Sequence, residues 1–220
     1  MSDENLTQQP KKRRGCLFYG CLTCVVLLVL ALVLVFAAVQ VIKKQIYAWT
    51  EAAPMQLPKV EMADAQFQSL QQRVTTFHDA MQQGKAGEPL VLTDNEINAL
   101  IDKAENMKQL AGKVYVSLTN DQVKGQVSIP VPGVFWFARG RYLNGEAAFN
   151  VSLENGVLIV TAQEIRVKGK TVPESFMSAL RKENLAKEFY KNPDQAATIS
   201  KLESIHLEGD HVIIKAREVK

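Results

Sequence analysis

Hydrophobic and polar positions follow three rhythms along this chain, and each predicts a different element. The first is an uninterrupted apolar run from Cys16 to Ile42, with no charge between Arg14 and Lys43. Its centre reads Val25-Val26-Leu27-Leu28-Val29-Leu30-Ala31-Leu32-Val33-Leu34-Val35-Phe36. As a helix such a stretch is roughly 40 Å long, more than the ~30 Å of hydrocarbon in a bilayer. β-Branched residues are poor helix formers in water, but lipid offers the backbone no other partners, so the run predicts a transmembrane helix over residues 15–44. Helical character can extend towards Ala53, before Pro54 and Pro58 break it into a stiff connector.

The second rhythm is a spacing of three and four. Val60, Ala63, Phe67, Leu70, Val74, Phe77 and Met81 form one stripe, with Gln, Asp, Thr and Arg between them. This predicts an amphipathic helix within 60–84 that either packs on its own domain or pairs with a second copy. Pro89-Leu90-Val91-Leu92 is a short extended run. Thr93-Asp94-Asn95-Glu96 then has the spacing of a capping box, in which Thr93 and Glu96 each satisfy the other's backbone N–H. Ile97, Leu100 and Ile101 supply the apolar face of the helix it starts.

From Lys113 the rhythm becomes two. Val114, Val116 and Leu118 alternate with Tyr115 and Ser117, and Asn120-Asp121 turns the chain into Val123, Val127, Ile129 and Val131. A second hairpin places Ala147, Phe149, Val151 and Leu153 inward, turns at Asn155-Gly156 and returns over Val157 to Val167. Pro173 opens a helix with Phe176, Met177 and Leu180 on its apolar face. Two short helices follow, then a closing hairpin with Ile205, Leu207, Val212 and Ile214 inward around Gly209-Asp210. Together these patterns predict an α+β chain: a transmembrane helix, then a mostly antiparallel, long-stranded sheet packed against several helices. The expected divisions are a tail at 1–14, the membrane helix at 15–44, a juxtamembrane linker at 45–59 and one domain at 60–220, with sheet and helices at 89–217.

Charge sets the expected orientation. Lys11, Lys12, Arg13 and Arg14 precede the apolar run, and only Lys43 and Lys44 follow it closely. The heavier basic cluster stays cytoplasmic, which predicts a single-pass cell-membrane protein with an extracytoplasmic C-terminal domain. A cleaved signal peptide is the rival, but its apolar region is typically ~7–15 residues. Tyr47 and Trp49 suit interfacial depth, where one end of the ring is apolar and the other wet. The net charge is +3, much of it in the N-terminal tail, which leaves the outer domain near neutral and disfavours a nucleic-acid partner. Cys16, Cys21 and Cys24 all fall in the membrane segment, so no disulfide staples the outer domain.

Candidate chemistry is sparse. The chain has no His-Glu-x-x-His, Gly-x-Ser-x-Gly, phosphate loop or dinucleotide fingerprint, and no catalytic residue or cofactor is assigned. His206, Glu208 and His211 would share one strand face if Gly209-Asp210 is a two-residue loop. Two imidazoles and a carboxylate have metal-ligand chemistry, though a solvated edge strand explains them more simply. Val134-Phe135-Trp136-Phe137 does not alternate, so one buried face cannot hold all four. With Arg139 and Arg141 beside them, these residues are candidates for contact with lipid or a partner.

The stretch Leu92-Thr93-Asp94-Asn95-Glu96-Ile97-Asn98-Ala99-Leu100-Ile101, the paired long strands, a Pro-x-x-Phe helix at Pro173 and a closing hairpin are together similar to small single-pass bacterial envelope proteins of the YpmS type, and more distantly to the LmeA type. Thr93, Glu96, Ile97 and Asn98 match the helix-start motif of those proteins, and the likeness covers residues 89–216. It implies an extracytoplasmic α+β domain, elongated and lipid-binding, and transfers no catalytic residue. The expected function is a non-catalytic binding or assembly module at the membrane surface. The alternative is binding or transfer of a lipid or lipophilic ligand, and the third, a metal-dependent enzyme, rests only on the His206 face. Expected partners are the bilayer, envelope proteins or a bound lipid, and a homodimer through the 60–81 stripe or the membrane helix.

Overall fold

The computed structural model describes residues 15–119, 121–133 and 136–218, except for the side chains of 15–25 and 106. The chain divides into two compact units, Met1–Ala48 and Trp49–Lys220. Helix α1 (Gly15–Trp49) has 35 residues and so is about 52 Å long. An 18-residue window within its Val26–Trp49 stretch has a mean hydropathy of 2.8 and is not buried, which fits a membrane anchor or a signal sequence. Inside it, Lys43 Nζ stands 5.6 Å from the centre of the Tyr47 ring. The helix stops at Trp49, short of Ala53, because Thr50 is already buried and Glu51 forms a β-bridge with Tyr142.

The second unit is built on two antiparallel sheets. Helix α2 (Asp64–Gln82) starts later than the stripe predicts, and Val60 and Met62 reach the same core as non-helical chain. Strand β1 (Leu90–Thr93) runs into α3 (Asp94–Lys103) through the expected box: Thr93 Oγ1 accepts from Glu96 N at 3.2 Å, and Glu96 Oε2 accepts from Thr93 N at 3.0 Å. The larger sheet follows chain order: β2 (Val114–Thr119), β3 (Gln122–Pro130), β4 (Tyr142–Glu154), β5 (Val157–Val167) and the two-residue β6 (Lys170–Thr171). Asn155 and Gly156, at φ 52° and 79°, make the left-handed turn that matches strand twist, and Lys168-Gly169 repeats it at 55° and 69°. Then come α4 (Glu174–Leu180), a 3-10 turn (Leu185–Lys191), α5 (Pro193–Ser200) and the hairpin β7 (Leu202–Glu208) and β8 (His211–Ala216).

That hairpin does not extend the large sheet. It pairs with β1 in a second sheet of order β1-β8-β7, with Leu90 opposite Ile214. Residues more than a hundred positions apart cannot announce their pairing through local alternation. Both buried apolar clusters lie around this smaller sheet. One joins Leu70 of α2 to Leu90, Leu92 and Ala99, and the other joins Met81 to Leu202 and Ala216. The α2 stripe is therefore spent inside the domain: Leu70 is 1% exposed and Phe67, Val74 and Phe77 pack around it. Helix α4 differs from its sequence pattern, since Met177 is buried but Phe176 is exposed.

Candidate functional site

The five-stranded sheet has two unlike faces, and ladder register assigns every position. One face is polar. Tyr115, Gln126, Glu146 and Arg166 form one row across it, and Ser117, Lys124, Ala148 and Glu164 the next. These rows line a concavity of about 430 Å³ with Pro58 at its rim. Its charges are largely paired: Gln126 donates to Glu146 at 3.1 Å and Arg166 to Glu164 at 2.6 Å. Such pairing describes a solvated face.

The opposite face is apolar almost throughout. Val127, Gly145 and Val167 share one row, Val116, Gly125, Ala147 and Ile165 the next, and Leu118, Val123, Phe149 and Ala162 a third. The middle of this face is a trough of small residues. The Phe149 ring fills part of it, lying 3.3 Å from where a Cβ on Gly125 would stand, and Gly145 is buried, its Cβ position 3.3 Å from Arg166 O and 3.5 Å from a Val127 methyl. The valines and Ile165 wall the trough on either side. Leu118 and Ala162 are buried, and Leu153 at the far end of β4 packs into the cluster of the smaller sheet. Elsewhere the face is not covered. Val116, Val123, Val127, Phe149, Ile165 and Val167 are half-buried, while Ile129 is 41% and Leu143 38% exposed. No buried cluster forms over this face among the described residues.

The sheet edges are closed by side-chain amides. Asn98, 1% exposed, accepts from Val116 N at 2.7 Å and donates to Val116 O, so α3 is docked on the edge of β2 by an amide that imitates a strand. Asn184 does the same at β5, accepting from Val160 N at 3.1 Å and donating to Leu158 O at 2.9 Å, and Tyr190 Oη accepts from Leu158 N. Paired edges protect the sheet from strand addition.

Residues 50–58 form a strap on the polar face. Glu51 and Tyr142 exchange two backbone hydrogen bonds of 2.8 Å. Arg141 donates to Thr50 Oγ1 at 2.7 Å and to its carbonyl. Asn144 donates to Ala53 O at 3.0 Å and to Glu51, and Met55 N donates to both Ser128 Oγ and Asn144 Oδ1 at 3.1 Å. Asn144 and Ser128 are each 5% exposed; Ser128 Oγ donates to Asn144 Oδ1 at 2.9 Å, and the strap supplies the partners of the Asn144 amide. The Arg141-Tyr142-Leu143-Asn144 stretch thus holds the chain that follows α1. No local pattern could have revealed this, because the partners lie about ninety positions apart.

The other candidates are dispersed. Trp136 and Phe137 lie in a 3-10 turn and contact each other edge to face, 5.6 Å between centroids, but Phe137 is 7% exposed and Trp136 73%. Arg139 is exposed, with its aliphatic stem over Gly133. Val134, Phe135, Lys11, Lys12, Arg13 and Arg14 lie outside the described residues. Lys44, like Lys43, sits on α1, and Trp49 ends it. Glu208 does pair with His211 across the two-residue turn, and His206, opposite Ile213, shares their face; His211 Nδ1 turns to Asp210 at 2.6 Å. Among the described residues no three His, Cys, Asp or Glu side chains have metal-binding spacing. Lys187 is pushed above its usual range by its hydrogen bond to Glu183, and Glu188 is held below its range by Lys191. Both belong to exposed ion pairs of the 185–191 turn. No protein-family model, curated protein or solved structure matches the chain.

Proposed function

We propose that the chain is a single-pass membrane-anchored envelope protein, N-terminus cytoplasmic, whose outer domain binds a lipid or similarly lipophilic ligand along the apolar face of the five-stranded sheet. The observation that carries this reading is the half-covered apolar face itself, where Gly125 and Ala147 lie between Val116 and Ile165 with the Phe149 ring over Gly125. A soluble domain leaves an apolar surface of this length uncovered at a cost, unless something occupies it. An acyl chain fits the trough's chemistry, because each methylene removed from water contributes about 0.8 kcal/mol and asks for no polar partner. The edge amides are consistent with the same reading, because they occupy backbone groups of Val116, Leu158 and Val160 that a strand-adding peptide would need. The Thr93, Glu96, Ile97 and Asn98 likeness to lipid-binding envelope proteins points the same way.

The test is native mass spectrometry of residues 49–220, purified without detergent and then extracted with solvent. A stoichiometric lipid in the spectrum and in the extract is the expected outcome. A clean apo mass would sink the lipid reading and leave a protein-assembly module, to be followed by cross-linking in intact membranes.

A further inference from the structure

One end of the large sheet combines an exposed aromatic with an excess of basic residues. Lys113 precedes β2 and its carbonyl accepts from Ser128 at the end of β3. Arg139 and Arg141 lie in the β3–β4 connection, and Lys168 and Lys170 flank the β5–β6 turn. Trp136 stands in the same connection, 73% exposed. Glu51 is the acid that the strap brings to this end. The opposite end of the sheet carries Asp121 and Glu154 at its turns, and Asp121 accepts from Gly209 between Glu208 and Asp210, with Arg217 near Gly156. The domain is therefore polarised along its strands.

Covalent connectivity fixes which end meets the membrane. Glu51, paired with Tyr142, follows Trp49 by two residues, and extended chain covers at most about 3.6 Å per residue. Glu51 is thus within about 7 Å of Trp49, and Tyr142, about 5 Å across the bridge, puts the end of the β3–β4 connection within about 12 Å of the last residue of α1. We infer that this basic end, led by Trp136 with Arg139 and Lys170, docks on the anionic surface of the bilayer that α1 crosses. The inference rests on reading α1 as an anchor. Tryptophan favours the head-group zone, and basic side chains beside it are attracted to anionic head groups. Docking there also faces the exposed end of the apolar trough, at Ile129 and Leu143, towards the bilayer from which a lipid would enter.

The chain has two tryptophans, Trp49 and Trp136, which makes the test clean. The full chain is reconstituted in vesicles of phosphatidylglycerol and phosphatidylcholine whose acyl chains are brominated just below the head group. Trp49→Phe leaves Trp136 as the sole reporter, and Trp136→Phe leaves Trp49. The expected result is that Trp136 loses most of its emission and shifts to the blue, and that Arg139→Glu with Lys170→Glu abolishes both effects. If Trp49 is quenched and Trp136 is not, the docking is overturned with the anchor intact, and the exposed ring belongs to a protein contact. If neither is quenched, the anchor reading falls and takes the docking with it.

Discussion

At the scale of single residues, legibility depended on how far a side chain reaches along the sequence. Thr93 and Glu96 meet three positions apart, so their reciprocal caps could be read directly. Asn98 stands in the same motif, yet its partner Val116 lies eighteen positions away and its role emerges only from the fold. Replacing Asn98 by Ala should cost about 1–3 kcal/mol, because it orphans a backbone N–H and C=O at the β2 edge. Urea unfolding measures this, and an unchanged midpoint would show that water replaces the amide. Trp136 and Phe137 show the opposite difficulty: adjacent aromatics with the same local pattern and opposite burial. Phe137→Ala should lose about 3–5 kcal/mol, whereas Trp136→Ser should leave the melting temperature almost unmoved. A large drop for Trp136→Ser would mean that the ring is covered in solution.

At the scale of elements, period two and turn chemistry specified the large sheet well. Asn155-Gly156 marked its hairpin because both residues must take positive φ, and alternation then fixed which side chains share a face. The smaller sheet was not legible, since pairing β1 with β8 depends on tertiary packing of Leu90 against Ile214 rather than on any nearby signal. The face assignment makes a sharp prediction from adjacent residues. Ala147 lies on the apolar trough and Ala148 on the polar side of the same strand. Under the proposed lipid binding, Ala147→Phe should abolish lipid co-purification, while Ala148→Phe should leave it as in the parent chain. Mass spectra of the two variants decide it, and equal loss in both would point to a distorted sheet instead of a blocked site. Neither substitution should cost more than about 1–3 kcal/mol, the usual range for an overpacked position.

At the scale of the whole molecule, the boundary between α1 and the domain is set by hydrogen bonds that composition hides. Pro54 and Pro58 make residues 45–59 look like a connector, and a cut at residue 60 would follow from the sequence. The strap instead supplies the paired backbone of Glu51, the acceptors Thr50 O and Ala53 O, and the Met55 N–H that Ser128 and Asn144 share. A domain beginning at residue 60 would keep the Ser128 Oγ to Asn144 Oδ1 bond of 2.9 Å but lose the strap's acceptors for the Asn144 amide and the backbone partner of Tyr142. At about 1 kcal/mol net per hydrogen bond, with an added penalty for buried groups left unsatisfied, the loss amounts to several kcal/mol. Compared with residues 49–220, residues 60–220 should therefore melt lower. Amide exchange should accelerate first at Tyr142 and Asn144 and not in the α2 core around Leu70. Equal melting temperatures would mean that the strap merely lies on the sheet, and the proposed docking would lose the short tether on which it rests.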